Sequence, residues 1–172
     1  MIRNIVIAAL LALGMGGIAV AADAPTDPQI AHIAYTAGQI DIAAAEQAIK
    51  KSKNADIVAF AKQMAEDHKA VNDQALALVK KLSVTPQDNA TSQALSKDAA
   101  AKLASYAKLE GKAFDKAYVD NEVAYHKTVN GALKTQLVPG AQNAELKSLL
   151  QTGLKLFTEH QVHAEHLAAG HH

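Results

Sequence analysis

Residues 54–82 read NADIVAFAKQMAEDHKAVNDQALALVKKL, and their periodicity decides the fold. Ile57, Phe60, Ala61, Met64, Val71, Ala75, Leu78, Val79 and Leu82 recur at three- and four-residue intervals, the spacing that lines up one face of an α-helix. Asn54 is placed to cap that helix, with Asp56 in its first turn where a negative charge suits the helix dipole. One residue breaks the greasy stripe. His68 lies within about 20° of its centre when residues are stepped at 100°, flanked by Met64, Val71 and Ala75.

The same period continues on either side. Asp27 is placed to cap a helix with Pro28 at its first position, followed by Ile30, Ile33, Ala37, Ile40, Ala44 and Ala48 at helical intervals. Pro86, Asp88 and Asn89 make 83–91 a loop, and the alanine-rich run 92–109 is moderately amphipathic. Gly111 interrupts, after which Phe114, Tyr118, Tyr125, Val129 and Leu133 mark a further long helix that stops at Pro139-Gly140. A last helix runs from about Ala141 through Leu146, Leu150, Leu154, Phe157 and Ala164 to Ala168. No strand-like alternation competes. The fold class is all-α, and four long helices of this kind predict an antiparallel four-helix bundle. The helical segment between its second and third members is long enough to cross the bundle, which predicts ferritin-like connectivity.

Every one of the four stripes carries an ionisable group. Asp41 sits beside Ala37 and Ala44 on the first helix, and His160 lies between Phe157 and Ala164 on the last. Glu122 falls near the centre of its arc and His126 about 60° away, still inside it. A polar group buried without a partner costs a few kcal/mol, so one per helix points to a shared polar site. Height agrees: Asp41 and His68 each lie roughly 20 Å along their helices from the turn that joins them. With a crossover, His126 is level with His68, Glu122 one turn above it, and His160 within a turn or two.

Imidazoles with carboxylates are a ligand set for transition metals, and a histidine-rich one suits copper or zinc better than iron. The candidate ligands are His68, His126, His160, Asp41 and Glu122. His163 joins them at the stripe's margin, one turn from His160. A metal-free reading uses the same residues, with His68 bonded to Asp41 or Asn72 and His126 to Glu122 in a purely structural network. His32, His166, His171 and His172 fall outside the inward set. Carboxylate-bridged di-iron bundles use Glu followed three residues later by His, and no Glu here has that neighbour; Glu122 with His126 and Glu159 with His163 are four apart. No nucleophile–base motif or glycine-rich phosphate loop identifies a small-molecule substrate. Binding rather than catalysis is therefore the expected role, with an enzyme left as the lesser reading.

The N-terminus reads as a leader. Arg3 precedes an apolar run from Ile5 to Leu13, and Ala19-Val20-Ala21 offers a small-x-small cleavage site. The expected organisation is a signal peptide over 1–21 and the bundle over 22–172, exported to a bacterial periplasm. With no Cys, disulfides, lipid attachment and thiolate ligands are all excluded. Formal net charge is +0 and Arg3 is the only arginine. Without a basic run or a guanidinium fork for phosphate, nucleic acid is not an expected partner.

Phe60-Ala61-Lys62-Gln63-Met64 running into Asp67-His68, Ala113-Phe114-Asp115-Lys116-Ala117-Tyr118 followed by His126, and Glu159-His160 near the end together resemble a family of exported bacterial proteins, the domain of unknown function 4142. The resemblance spans about 31–167. It implies a ferritin-like four-helix bundle in the bacterial envelope and brings no established activity. The chain departs from the family's pattern at Asp41, where a Glu is usual. The expected protein is a periplasmic bundle that sequesters or buffers a transition metal. The alternative is a non-enzymatic envelope or stress protein with a metal-free polar core.

Overall fold

A computed structural model describes residues 24–170, and among them every regular element is helical. The order is α1 (Asp27–Lys51), α2 (Ala55–Lys81), α3 (Ala90–Tyr106), α4 (Gly111–Ala132), a π-helical turn (Leu133–Leu137), α5 (Val138–Gly140) and α6 (Ala144–Gly170). The expected leader over 1–21 and His171 and His172 lie outside the described residues. No described helix is long and apolar enough to cross a membrane.

Local chemistry sets the boundaries. Asn54 accepts from the backbone N–H of Asp56 at 2.9 Å and caps α2. Asn89 accepts from Thr91 and Ser92 at the start of α3. Gly111 takes φ +54° where α4 begins, a conformation that costs a residue with a Cβ ~1–2 kcal/mol. The start of α1 differs from the sequence expectation. Thr26 is its cap, closed by Gln29, while Asp27 reaches across the fold to accept from Gln142 N–H at 2.8 Å and Asn143 N–H at 2.7 Å. Asn143 in turn caps α6, which moves that helix's start from the expected Ala141 to Ala144.

Pro139 explains the π turn. A proline ring inside a helix crowds the carbonyl four residues back, here Thr135, and supplies no N–H. The backbone widens just ahead of it, and Val138 N–H donates to Leu133 O. The helix therefore carries on through the proline and ends at Gly140.

α3 traverses the length of α1. Near its beginning Asn89 donates to Gln29 O, and near its end Gln47 donates to Leu103 O and Lys51 to Ala107 O. It contributes only Ser92 to the buried interior. The core proper comes from α1, α2, α4 and α6, and it divides into two apolar layers. One gathers Ala44, Ala48, Ile57, Phe60, Met64, Phe114, Tyr118 and Ala164. The other gathers Ile30, Ile33, Leu133, Leu137, Leu146, Leu150 and Phe157. Burying each large member contributes ~1.5–3 kcal/mol. Between the two layers in every helix's numbering lie Asp41, His68, Glu122 with His126, and His160.

Candidate metal centre

Those five residues meet. Asp41, Glu122, His126 and His160 are at most 1% exposed and His68 is 3% exposed. The three imidazoles form a triangle with ring centroids 5.6 Å (His68–His126), 5.4 Å (His68–His160) and 5.6 Å (His126–His160) apart. One ring nitrogen of each lies within 4.8 Å of the others. Asp41, Glu122 and His126 form a second triad within the same limit, so His126 belongs to both.

The rings are oriented by their neighbours. His126 Nδ1 is 3.0 Å from the backbone oxygen of Glu122. A carbonyl only accepts, so Nδ1 carries the hydrogen and the neutral ring presents a bare Nε2 lone pair. His160 Nε2 is 2.9 Å from Asp67 Oδ2. With a carboxylate as acceptor, Nε2 carries the hydrogen there and Nδ1 is bare. A ring nitrogen tied to a carbonyl or carboxylate while the other faces inward is the usual support of a metal-bound histidine. His68 is held differently, by stacking on Phe157 at 4.3 Å and 8°.

Distances inside the cluster are too long for hydrogen bonds. Asp41 Oδ2 lies 3.6 Å from His68 Nε2 and 3.7 Å from His126 Nε2, and Glu122 Oε2 lies 3.6 Å from His126 Nδ1. Both oxygens of Asp41 and of Glu122, both ring nitrogens of His68, His126 Nε2 and His160 Nδ1 are buried and find no hydrogen-bond partner among the described residues. Native interiors pair nearly all such atoms. Two donors bound tetrahedrally at ~2.1 Å from one ion stand about 3.4 Å apart, so the separations around Asp41 Oδ2 match ligand-to-ligand spacing.

Burial sets the protonation states. It depresses His68 well below the ordinary imidazole value, helped by His126 and His160, and brings His126 down to about 4. His160 is lowered by burial too, with its bond to Asp67 opposing. Asp41 is pushed up to about 7 by burial. Glu122 is raised by burial and by the nearby charge of Asp41. The metal-free site is thus a set of neutral imidazoles and protonated carboxyls at mildly acidic pH. A bound cation pulls the carboxyls the other way, because it favours their ionised form.

Five of the six residues singled out from the sequence converge here. His163 does not. It is exposed, and its ring packs edge-on against Phe60, 4.9 Å between centroids. The reason is rotation: three residues beyond His160 turns the side chain through about 300°, which puts it on the α2 side of α6. Sequence reasoning misses Asp67 because it sits on the stripe's margin beside His68; its charge next to an inward histidine is the available signal. Tyr118 adds a buried, unpartnered hydroxyl whose acidity burial weakens, followed by Glu122 and Asp41.

Together these features define a helical bundle whose interior holds a histidine–carboxylate cluster able to take a metal ion. The chain belongs to the family described as domain of unknown function (DUF4142), whose model matches residues 16–167. No curated protein and no solved structure matches it.

Proposed function

We propose that this is an exported, ferritin-like four-helix bundle that holds one or more transition-metal ions for sequestration or buffering in the periplasm. His68, His126 and His160 are its nitrogen ligands and Asp41 its nearest carboxylate. Glu122 supplies a further oxygen, and copper or zinc is favoured over iron by the nitrogen-rich set. The leader over 1–21, read from Arg3, the apolar run and Ala19-Val20-Ala21, carries the export part of the proposal. The passage of α3 along α1 supports the ferritin-like connectivity.

One observation carries the reading: in a buried cluster drawn from four helices, Asp41 Oδ2 lies 3.6 and 3.7 Å from the bare Nε2 atoms of His68 and His126, at ligand-to-ligand spacing and without a hydrogen bond to either. A purely structural network predicts the opposite, short bonds between its members. Elemental analysis and metal titration of the processed protein against a His68→Ala/His126→Ala double variant test it. Residues beyond Ala168 are removed from both proteins so that His171 and His172 do not scavenge metal. Stoichiometric metal in the parent and its loss in the variant are expected. Equal, negligible metal in both returns the cluster to a structural role.

A further inference from the structure

A cavity of about 790 Å³ opens beside the histidines, in the half of the bundle nearest the start of α1. Its walls are apolar: Ile33, Val71, Leu95, Val129, Leu150 and Phe157 face it from α1, α2, α3, α4 and α6. Where long side chains would fill the space, the chain places Ala34, Ala75 and Ala132. Protein interiors are close-packed and rarely leave voids larger than a water molecule. A space of this size falls instead in the ~300–1,000 Å³ range of small-molecule sites.

Polar residues of its lining reach the surface: Thr91 on α3, Thr128 near the end of α4 and Gln136 in the π-helical turn are exposed. The inner wall holds His68 and His126, each nearly fully buried with Nε2 unpartnered. The cavity's lining therefore joins exposed polar residues, greasy walls and two of the three clustered imidazoles.

The geometry points to a binding site for an amphipathic monocarboxylate, an unbranched or aromatic acid whose apolar body fills the cavity and whose carboxylate meets the metal at His68 and His126. This rests on the metal reading above. The volume and apolar walls select a hydrocarbon body. The acid head is selected because a cation held at His68 and His126, on the cavity's inner wall, offers a coordination position that a carboxylate oxygen fills far better than an alcohol does. A carboxylate is an oxygen ligand compatible with either zinc or copper.

Isothermal titration with decanoate and with decan-1-ol, on metal-free and zinc-loaded protein, tests the assignment. Metal content is measured in parallel by elemental analysis. Decan-1-ol keeps the apolar body and lacks the anionic head. Saturable one-to-one binding is expected, with zinc tightening decanoate about tenfold or more and leaving decan-1-ol nearly unchanged. Ala75→Leu and Ala132→Leu, made separately, fill the cavity from two helices; each weakens both probes about tenfold while zinc uptake is kept. Absence of saturable binding, undiminished binding in both filled variants, or zinc-loaded protein that treats the two probes alike overturns the proposal. Wild type that takes up no zinc and no copper sinks the metal reading, whereas zinc uptake without head-group discrimination sinks only this one. Binding absent from the full-length chain and present in the processed one assigns the cavity to residues 5–18 of the chain itself, which also overturns it.

Discussion

Replacing Asp41 with Asn should make the metal-free protein more stable at neutral and alkaline pH, although Asp41 is central to the proposed site. The Asp41 carboxyl is fully buried and raised from 3.8 to about 7. Between those values the folded chain binds more protons at this position than the unfolded chain does. Stability from this group therefore falls as pH rises through that window, and the loss is complete above about pH 7. At about 1.4 kcal/mol per pH unit the loss amounts to about 4 kcal/mol. The substituted carboxamide keeps the shape and cannot ionise. The histidines contribute with the opposite sign: lowered in the fold, they cost stability as pH falls from about 6.5 toward His126's value of about 4. They titrate in both proteins and largely cancel, so the difference between variant and parent reports the Asp41 carboxyl together with its repulsion of Glu122. Urea unfolding with chelator, at half-unit steps from pH 4 to 8, should show Asp41→Asn gaining on the parent by about 4 kcal/mol across the range. Added zinc should reverse the order, stabilising the parent more than the variant. A difference that stays flat with pH would mean that the carboxyl pays no desolvation cost in the fold, and the account of the polar layer would be wrong.

The same protonation states predict proton release. Zinc titrated at pH 6 in buffers of different ionisation enthalpy should displace protons from Asp41 and Glu122, with apparent affinity falling as pH drops below about 7. Asp67→Ala removes the acceptor that fixes His160 Nε2 and should weaken metal binding about 10–100-fold in competition titrations while leaving the helical circular dichroism signal unchanged. Gly38→Ala drives a Cβ into Asn72 Oδ1, inside van der Waals contact, beside the bond from Asn72 to Tyr35 O. It should cost ~1–3 kcal/mol in thermal unfolding, much of it recovered by adding Asn72→Ala.

Helices and their inward faces are sequence-local properties, and this is why so much is readable. A stripe at period 3.6 fixes which side of a rod avoids water before any partner is known, so Asp41, His68, Glu122, His126 and His160 can be assigned to the interior one helix at a time. Their common height follows from counting turns at about 1.5 Å per residue from shared loops. Asp27 is misplaced for the complementary reason. Its carboxylate is taken by Gln142 and Asn143, far away in sequence, and a local reading assigns such a residue to its own helix end. His163 fails on angle, since a residue at the edge of a stripe is decided by how the neighbouring helix is rotated.

What a stripe does not encode is what gives the cluster its chemistry. Position within it says that His126 and His160 are buried; it does not say which nitrogen carries a hydrogen. That choice is made by Glu122 O for one ring and by Asp67 for the other, the first within a helix and the second between α2 and α6. The outcome is that one ring presents Nε2 and the other Nδ1. Two apolar layers then hold this polar one in place. Phe60, Met64 and Tyr118 belong to the layer on one side, and Phe157 stacks on His68 from the other, while the donor atoms do not satisfy one another. A bundle needing only stability would have continued the apolar stripe through all five positions, avoiding the cost of desolvating their polar groups. Keeping unpaired donors here costs stability that an ion bound between them would restore.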